Sequence, residues 1–194
     1  VIALLYSVEL SEMPALVRDF AMYKSAIQNC SVKTVSEYLL DLRLFFRFLV
    51  AERNGVLPES ADFEKIDIRD LDLEFMRSIS TEEIYGFLMY SGTVRKNLWS
   101  AKARKLSAIK AYFKFLTVKR KLLETNPAID IESPKPKKSL PKVMTVDEAK
   151  ALLDAVKNDK ESKSVTRDYA IITLFLNCGM RVSELVGIDL GDID

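Results

Sequence analysis

The chain contains no histidine, and its two cysteines, Cys30 and Cys178, lie far apart. The first absence excludes imidazole as a general acid or base and removes a common zinc ligand within these residues. With no Cys-x-x-Cys pair, a zinc-ribbon or dithiol redox motif is excluded too. Both cysteines are expected as buried, reduced thiols of a cytoplasmic protein. Glycine and proline are scarce, six of each in 194 residues, so disorder is expected only locally. No apolar run approaches the roughly eighteen residues that a membrane helix needs. Residues 1–6 are apolar but lack a basic flank and a small-residue cleavage site. They read as a tail or a minor packing segment, not a signal peptide. No segment alternates as a half-buried strand does. Carboxylates, finally, are missing from one long stretch, with none between residues 84 and 123.

What is present suits a globular protein: 48% hydrophobic and 29% charged residues, enough for one large domain or one domain and part of another. The net charge of +1 conceals segregation along the chain. Residues 52–83 are acid-rich, with Glu59, Asp62, Glu64, Asp67, Asp70, Asp72, Glu74 and Glu82. Residues 84–123 hold Arg95, Lys96, Lys102, Arg104, Lys105, Lys110, Lys114, Lys119, Arg120 and Lys121. Such sign asymmetry points to a nucleic-acid partner more strongly than the overall pI does.

The apolar period is helical nearly throughout. Val35, Tyr38, Leu39, Leu42, Phe45, Phe46 and Leu49 define one face of a helix over 34–53, opened by a capping box Thr34-x-x-Glu37 and closed by Asn54-Gly55. A second long helix is predicted over 94–120, with Leu106, Ile109, Phe113 and Leu116 inward. Weaker helices cover 14–28 and 81–90, the latter opened by the box Ser80-x-x-Glu83. The acidic connection offers only a short helical turn near 69–73. Residues 127–142 are proline-spaced and basic, which favours an extended, solvated linker. A third box, Thr145-x-x-Glu148, starts the next helix. Residues 167–178 are apolar on most sides and are expected to be buried. Gly179 suits the left-handed position after a helix end, and 181–187 restarts as a short helix.

Three groups of residues could carry chemistry. The polar face of the 34–53 helix presents Ser36, Arg43 and Arg47, with Lys33 and Thr34 at its start. This suits a backbone phosphate, although taken alone a solvated face is the plainer reading. In the 94–120 helix nine cations stand without an offsetting carboxylate, and intrahelical pairing cannot relieve them. Lys96, Lys102, Arg104, Lys105 and Lys110 are the candidates for phosphate contact. A surface helix balanced in space by the acidic stretch is the competing reading. Trp99, Tyr112 and Phe115 lie among these charges and are expected to pack in the core rather than stack on bases. Arg181, fixed after Gly179, can form bidentate hydrogen bonds to phosphate. Glu184 can orient it, and Ser183 can add a hydrogen bond. From spacing alone, Arg181 and Glu184 would be an ordinary surface pair.

Residues 168–188, from Asp168-Tyr169-Ala170 through Cys178-Gly179-Met180-Arg181-Val182-Ser183-Glu184-Leu185, resemble the first arginine box of the tyrosine recombinases, the Xer-like and phage-integrase site-specific recombinases. Lys33-Thr34-Val35-Ser36-Glu37-Tyr38 and Arg104-Lys105-Leu106-Ser107 through Leu116 resemble the first conserved and the last long helix of that family's core-binding domain. Asn126-Pro127-Ala128 and Leu140-Pro141-Lys142 resemble the hinge into its catalytic domain. The resemblance implies an all-α covered part. A SAM-like helical bundle over 1–126 would bind duplex DNA. A linker over 127–142 would lead to the first helices of an α+β catalytic domain over 143–194. It also implies that Arg181 is the first of two arginines on the scissile phosphate, supported by Glu184. The family's active-site lysine, His-x-x-Arg box and tyrosine nucleophile would lie beyond residue 194, so these residues are expected to bind DNA without forming a covalent adduct. The implied reaction passes through a 3′-phosphotyrosyl link, uses no metal, ATP or small-molecule cofactor, and runs in a tetramer on two DNA sites. A non-catalytic DNA-binding module that ends here, and a helical interaction protein without a nucleic-acid role, are the alternatives.

Overall fold

A computed structural model describes residues 10–58, 60–133 and 143–192. The expected apolar tail at 1–6, Glu59 and most of the proline-spaced linker lie outside them. The chain divides into two compact units, 1–137 and 138–194. The described residues are helical or irregular, with no strand among them, and none of their helices is long and apolar enough to cross a membrane.

In the first unit, α1 (Ala15–Ala26), α2 (Val32–Arg53), α3 (Leu73–Ser78), α4 (Thr81–Thr93) and α5 (Trp99–Lys114) form a bundle, and α5 runs on into a π-helical turn, Phe115–Lys119. The central helix is α2, which touches α1, α4 and α5. The reason lies in its sequence: it is apolar at spacings of three and four on more than one side, and Val35, Leu39, Leu42, Phe45, Phe46 and Leu49 are all fully buried. Rings interlock at the centre. Phe20 and Phe46 meet Tyr112 edge-on at 5.5 and 5.7 Å, and Phe45 meets Phe87 at 5.2 Å. Each such side chain contributes about 1.5–3 kcal/mol by burial, so the aromatic centre supplies a large share of this unit's stability.

Three expectations are corrected here. The long helix over 94–120 is broken. The chain leaves α4 at Val94 and turns through Lys96 with φ of +52° before α5 begins. Neither glycine nor proline marks that turn. It is held instead by Asn97, whose backbone N–H donates to the Ser91 carbonyl (2.9 Å) and whose side chain donates to that of Arg95 (3.1 Å). Next, α2 starts before Thr34. Ser31 is its N-cap and accepts from the Thr34 N–H at 3.2 Å, which leaves Glu37 free to face α5. Last, the short helix of the acidic connection is α3, set beyond the expected turn because the Asp72 carboxylate caps it by accepting from the Phe75 N–H (2.9 Å). The box at Ser80 and Glu83 forms as expected. Past the bundle, Ala128 and Ile131 pack into its core, and Thr81 Oγ1 donates to the Pro127 carbonyl at 2.8 Å.

The second unit contains α6 (Val146–Lys157), α7 (Val165–Cys178) and α8 (Val182–Val186). Thr145 and Glu148 close a reciprocal capping box on α6, and α6 packs on α7. The expected burial of 167–178 is not found, since no described residue of this unit is fully buried. The cause is geometric: α7 is apolar nearly all round, but one neighbouring helix covers one stripe. The expected burial of the two cysteines is not found either. Cys30 is half-buried, Cys178 sits exposed at the end of α7, and both are free thiols.

Candidate nucleic-acid interface

In the first unit, α2, the α4–α5 turn and α5 converge on a groove of about 190 Å³. Arg43, Arg47, Arg95, Arg104 and Lys105 line it, against two lining carboxylates, Asp41 and Glu64. The charges are arranged in layers. At the base, Lys105 Nζ donates to Asp41 Oδ1 at 2.9 Å, and only 1% of Asp41 and 7% of Lys105 is exposed. Burial pushes the Asp41 carboxyl above its ordinary range. The Lys105 hydrogen bond and the charges of Lys105 and Arg104 pull against that without cancelling it. Above them Arg104 Nη1 spans Glu37 Oε2 (2.6 Å) and Asp41 Oδ2 (2.7 Å). Elsewhere in the lining Arg47 reaches Glu64 (2.8 Å) and the Ile66 carbonyl (3.3 Å), Arg43 reaches Glu12 (3.3 Å), and Arg95 stands 3.9 Å from Glu64.

The acid-free stretch is therefore neutralised in part, and chiefly from α2. Glu37 and Asp41 do this, one helical turn apart, while the acidic connection contributes Glu64. Sequence reasoning missed both α2 carboxylates as partners, because each lies more than sixty residues from its cation. It also missed Arg95 as a groove residue. The i, i+4 spacing of Glu37 and Asp41 on α2 was the available signal.

Of the expected contact residues, Arg43, Arg104 and Lys105 come together at this groove, and Lys105 is committed to Asp41. Lys33, Thr34, Lys96, Lys102 and Lys110 do not line it. Lys33 and Thr34 are exposed at the start of α2, where Thr34 Oγ1 lies 2.9 Å from Ser31 Oγ. Lys102 lies along α4, its Nζ close to Gly92. Lys96 is exposed on the α4–α5 turn and Lys110 half-exposed on α5. None of the four lysines Lys33, Lys96, Lys102 and Lys110 is ion-paired among the described residues. Of the three aromatic residues expected in the core, Tyr112 and Phe115 are buried there, whereas Trp99 is not.

In the second unit, Gly179 takes φ of +60° after α7, and the chain then enters α8 with Arg181 at its N-cap. Glu184 holds Arg181 at two points: one carboxylate oxygen accepts from the Arg181 backbone N–H (2.6 Å), the other from Nη1 (2.9 Å). The guanidinium nevertheless projects outward, with 83% of the side chain exposed. Its Nε and Nη2 have no acceptor among the described residues. An arginine oriented by a carboxylate, with one edge open, is suited to bidentate contact with an oxyanion. Ser183 lies beside them, also exposed.

Residues 142–194 match the family model described as the phage integrase family. The chain is 38% identical over 185 residues to a tyrosine recombinase XerC of Caldanaerobacter subterraneus, covering 95% of this chain and 51% of that protein. It is 34% identical over 186 residues to a tyrosine recombinase XerC of Myxococcus xanthus, covering 95% and 54%. A tyrosine recombinase XerC of Syntrophus aciditrophicus is 34% identical over 184 residues, covering 94% and 54%. No solved structure gives a significant match. The chain thus spans about half the length of the curated relatives it matches. With the arginine segment inside the matched region and relatives that agree along nearly its whole length, the chain belongs to the Xer-like tyrosine recombinases of the phage integrase family.

Proposed function

We propose that this chain serves site-specific DNA recombination, with residues 1–126 gripping duplex DNA, residues 127–142 as the connection, and Arg181 of residues 143–194 holding the phosphate at which a strand is cut. The observation that carries this reading is Arg181 itself: an exposed guanidinium tethered by Glu184, with two nitrogens, Nε and Nη2, unspent among the described residues. Attack on a phosphodiester concentrates negative charge on the non-bridging oxygens, and a donor fixed beforehand stabilises that charge without reorganising. Glu184 is a positioning residue in this scheme. In the reaction, a tyrosine oxygen bonds to phosphorus as the 5′-oxygen leaves, giving a 3′-phosphotyrosyl link, and the reverse step with a new 5′-hydroxyl rejoins the strands. The scheme uses no metal or ATP. We place the nucleophile on none of the tyrosines here. Tyr112, for one, is sealed in the core, where burial pushes its hydroxyl far above the ordinary range. Four such subunits on two DNA sites would complete the exchange.

The groove cations Arg43, Arg47, Arg95 and Arg104, together with Lys33, Lys96, Lys102 and Lys110, which have no ion-pair partner among the described residues, supply the grip. Binding by phosphate neutralisation weakens steeply with salt. Titration of residues 1–194 with labelled duplex DNA at two salt concentrations is expected to show that fall, and incubation with a nicked suicide substrate is expected to leave no denaturation-resistant adduct. Affinity independent of salt would refute the grip. A covalent adduct would refute the assignment of the nucleophile.

A further inference from the structure

The exposed apolar residues of the first unit include a run at the turn between α4 and α5. Val94, Leu98 and Trp99 are 40%, 74% and 42% exposed. Apolar side chains at a loop tip cost solvation unless something covers them. The surroundings specify what that is. Arg95 and Lys96 precede Leu98 on the same turn, Lys102 lies one helical turn beyond Trp99, and no acidic residue occurs between 84 and 123. Lys96 and Lys102 are not ion-paired among the described residues, and Arg95 is itself a wall of the cationic groove. The apolar tip is thus continuous with the surface proposed to hold DNA, and cations flank it on both sides. A protein partner would have to bring a dense acidic surface to match. A DNA duplex brings phosphates on either side of a groove and an apolar base stack between them.

We propose that the α4–α5 turn is a wedge that enters a DNA groove, with the Trp99 ring and the Leu98 side chain laid against a base step while Arg95, Lys96 and Lys102 hold the flanking phosphates. Apolar side chains in such positions partly unstack the step and bend the duplex, and ring contact with bases strengthens binding without needing a particular sequence. The turn is stiff enough for this role. Lys96 holds φ of +52°, and Asn97 is bonded to both Ser91 and Arg95, so the tip is set before DNA arrives. This inference rests on the proposal that the first unit binds DNA.

Trp99 is the chain's single tryptophan, which gives the test a direct reporter. A mixed-sequence duplex carrying a fluorescent label is titrated into the protein. Anisotropy of the label reads binding, while tryptophan emission and its quenching by acrylamide read Trp99. The wedge requires emission to fall with saturation and acrylamide access to drop. Trp99→Ala should weaken binding about five-fold or more with its salt dependence unchanged, since no phosphate contact is lost. Lys96→Ala should instead lower the slope of log affinity against log salt by about 0.9. Leu98→Ser serves as the second apolar variant, and a far-ultraviolet melt of each variant confirms folding. Salt-dependent binding with unaltered tryptophan emission, and with full affinity in Trp99→Ala and Leu98→Ser, overturns the wedge and leaves DNA binding standing. Absence of any binding overturns both. Emission that follows protein concentration instead of DNA assigns the patch to a second copy of the chain and overturns the wedge.

Discussion

Lys105 and Asp41 meet at 2.9 Å between Nζ and Oδ1 where α5 crosses α2, both almost sealed from solvent. A buried pair of this kind is weak evidence of net stabilisation, but losing one partner strands the other charge. Lys105→Met is therefore expected to cost about 3 kcal/mol, the lower end of the 3–5 kcal/mol range, because Arg104 still reaches the second oxygen of Asp41. The double variant Asp41→Leu with Lys105→Met should recover most of that loss. Urea unfolding of the two variants measures it. The pH dependence has an unusual sign. Asp41 titrates above the ordinary value of 3.8 in the folded chain, mainly through burial. Its contribution is complete below 3.8 and is lost as pH rises through its folded value. Asp41→Asn removes that slope, seen as a flatter set of urea midpoints across the acid range.

Two sets of lysines on α2 and in the acid-free stretch should behave differently. Among the described residues Lys33, Lys96, Lys102 and Lys110 have no ion-pair partner, whereas Lys105 is buried against Asp41. Each alanine variant of the first four should leave the melting temperature nearly unchanged. Where the residue contacts phosphate, the salt slope of DNA affinity should fall by about 0.9. Lys105→Ala should do the reverse, with lower stability and little change in slope once folded protein is selected. Equal effects from all five would mean that the ion pairs of the groove do not order its surface.

The features that were readable from the sequence are those fixed within one helical turn. Ser80 with Glu83, Thr145 with Glu148, and Gly179 each combine a residue type and a spacing that few other conformations satisfy. The same locality misled at Thr34. Its spacing to Glu37 imitates a box, but Ser31 caps first and Glu37 turns to Arg104, sixty-seven residues away. The break between α4 and α5 was hidden because Lys96 and Asn97 make it without glycine or proline. At the candidate site, Arg181 and Glu184 could be placed because their contact is local. The groove could not be assembled in advance, since Arg95, Asp41 and Glu64 converge through helix packing alone.

Gly179 should matter for conformation and not for space. A Cβ there would meet nothing within 4 Å, yet φ is +60°. Gly179→Ala is expected to cost about 1–2 kcal/mol, the penalty of the left-handed region for a residue with a Cβ, and Gly179→Asn less. No described residue of the second unit is fully buried to absorb the change, so the loss should appear as faster amide exchange at the end of α7 and in α8. Unchanged exchange in Gly179→Ala would mean that the turn relaxes to another conformation at no cost.

In a recombination-competent protein carrying this segment, Arg181→Ala should remove about 3–4 kcal/mol of transition-state stabilisation, the typical effect of losing one such donor. Strand cleavage would then slow by a hundred-fold or more. DNA affinity should fall little, because Arg181 is one of many cations proposed to contact DNA. Arg181→Lys keeps the charge but loses the planar fork that fits two phosphate oxygens, so it should recover only part of the rate. Glu184→Gln is the informative partner. Its amide oxygen can still accept from the Arg181 backbone N–H, but the charged hold on Nη1 is gone. Cleavage should slow less than in Arg181→Ala, and the double variant should be no slower than Arg181→Ala alone, since a positioning residue has nothing left to position. Additive losses in that cycle would give Glu184 a role independent of the arginine. Cleavage yields on a suicide substrate for the four variants and the parent decide between these outcomes.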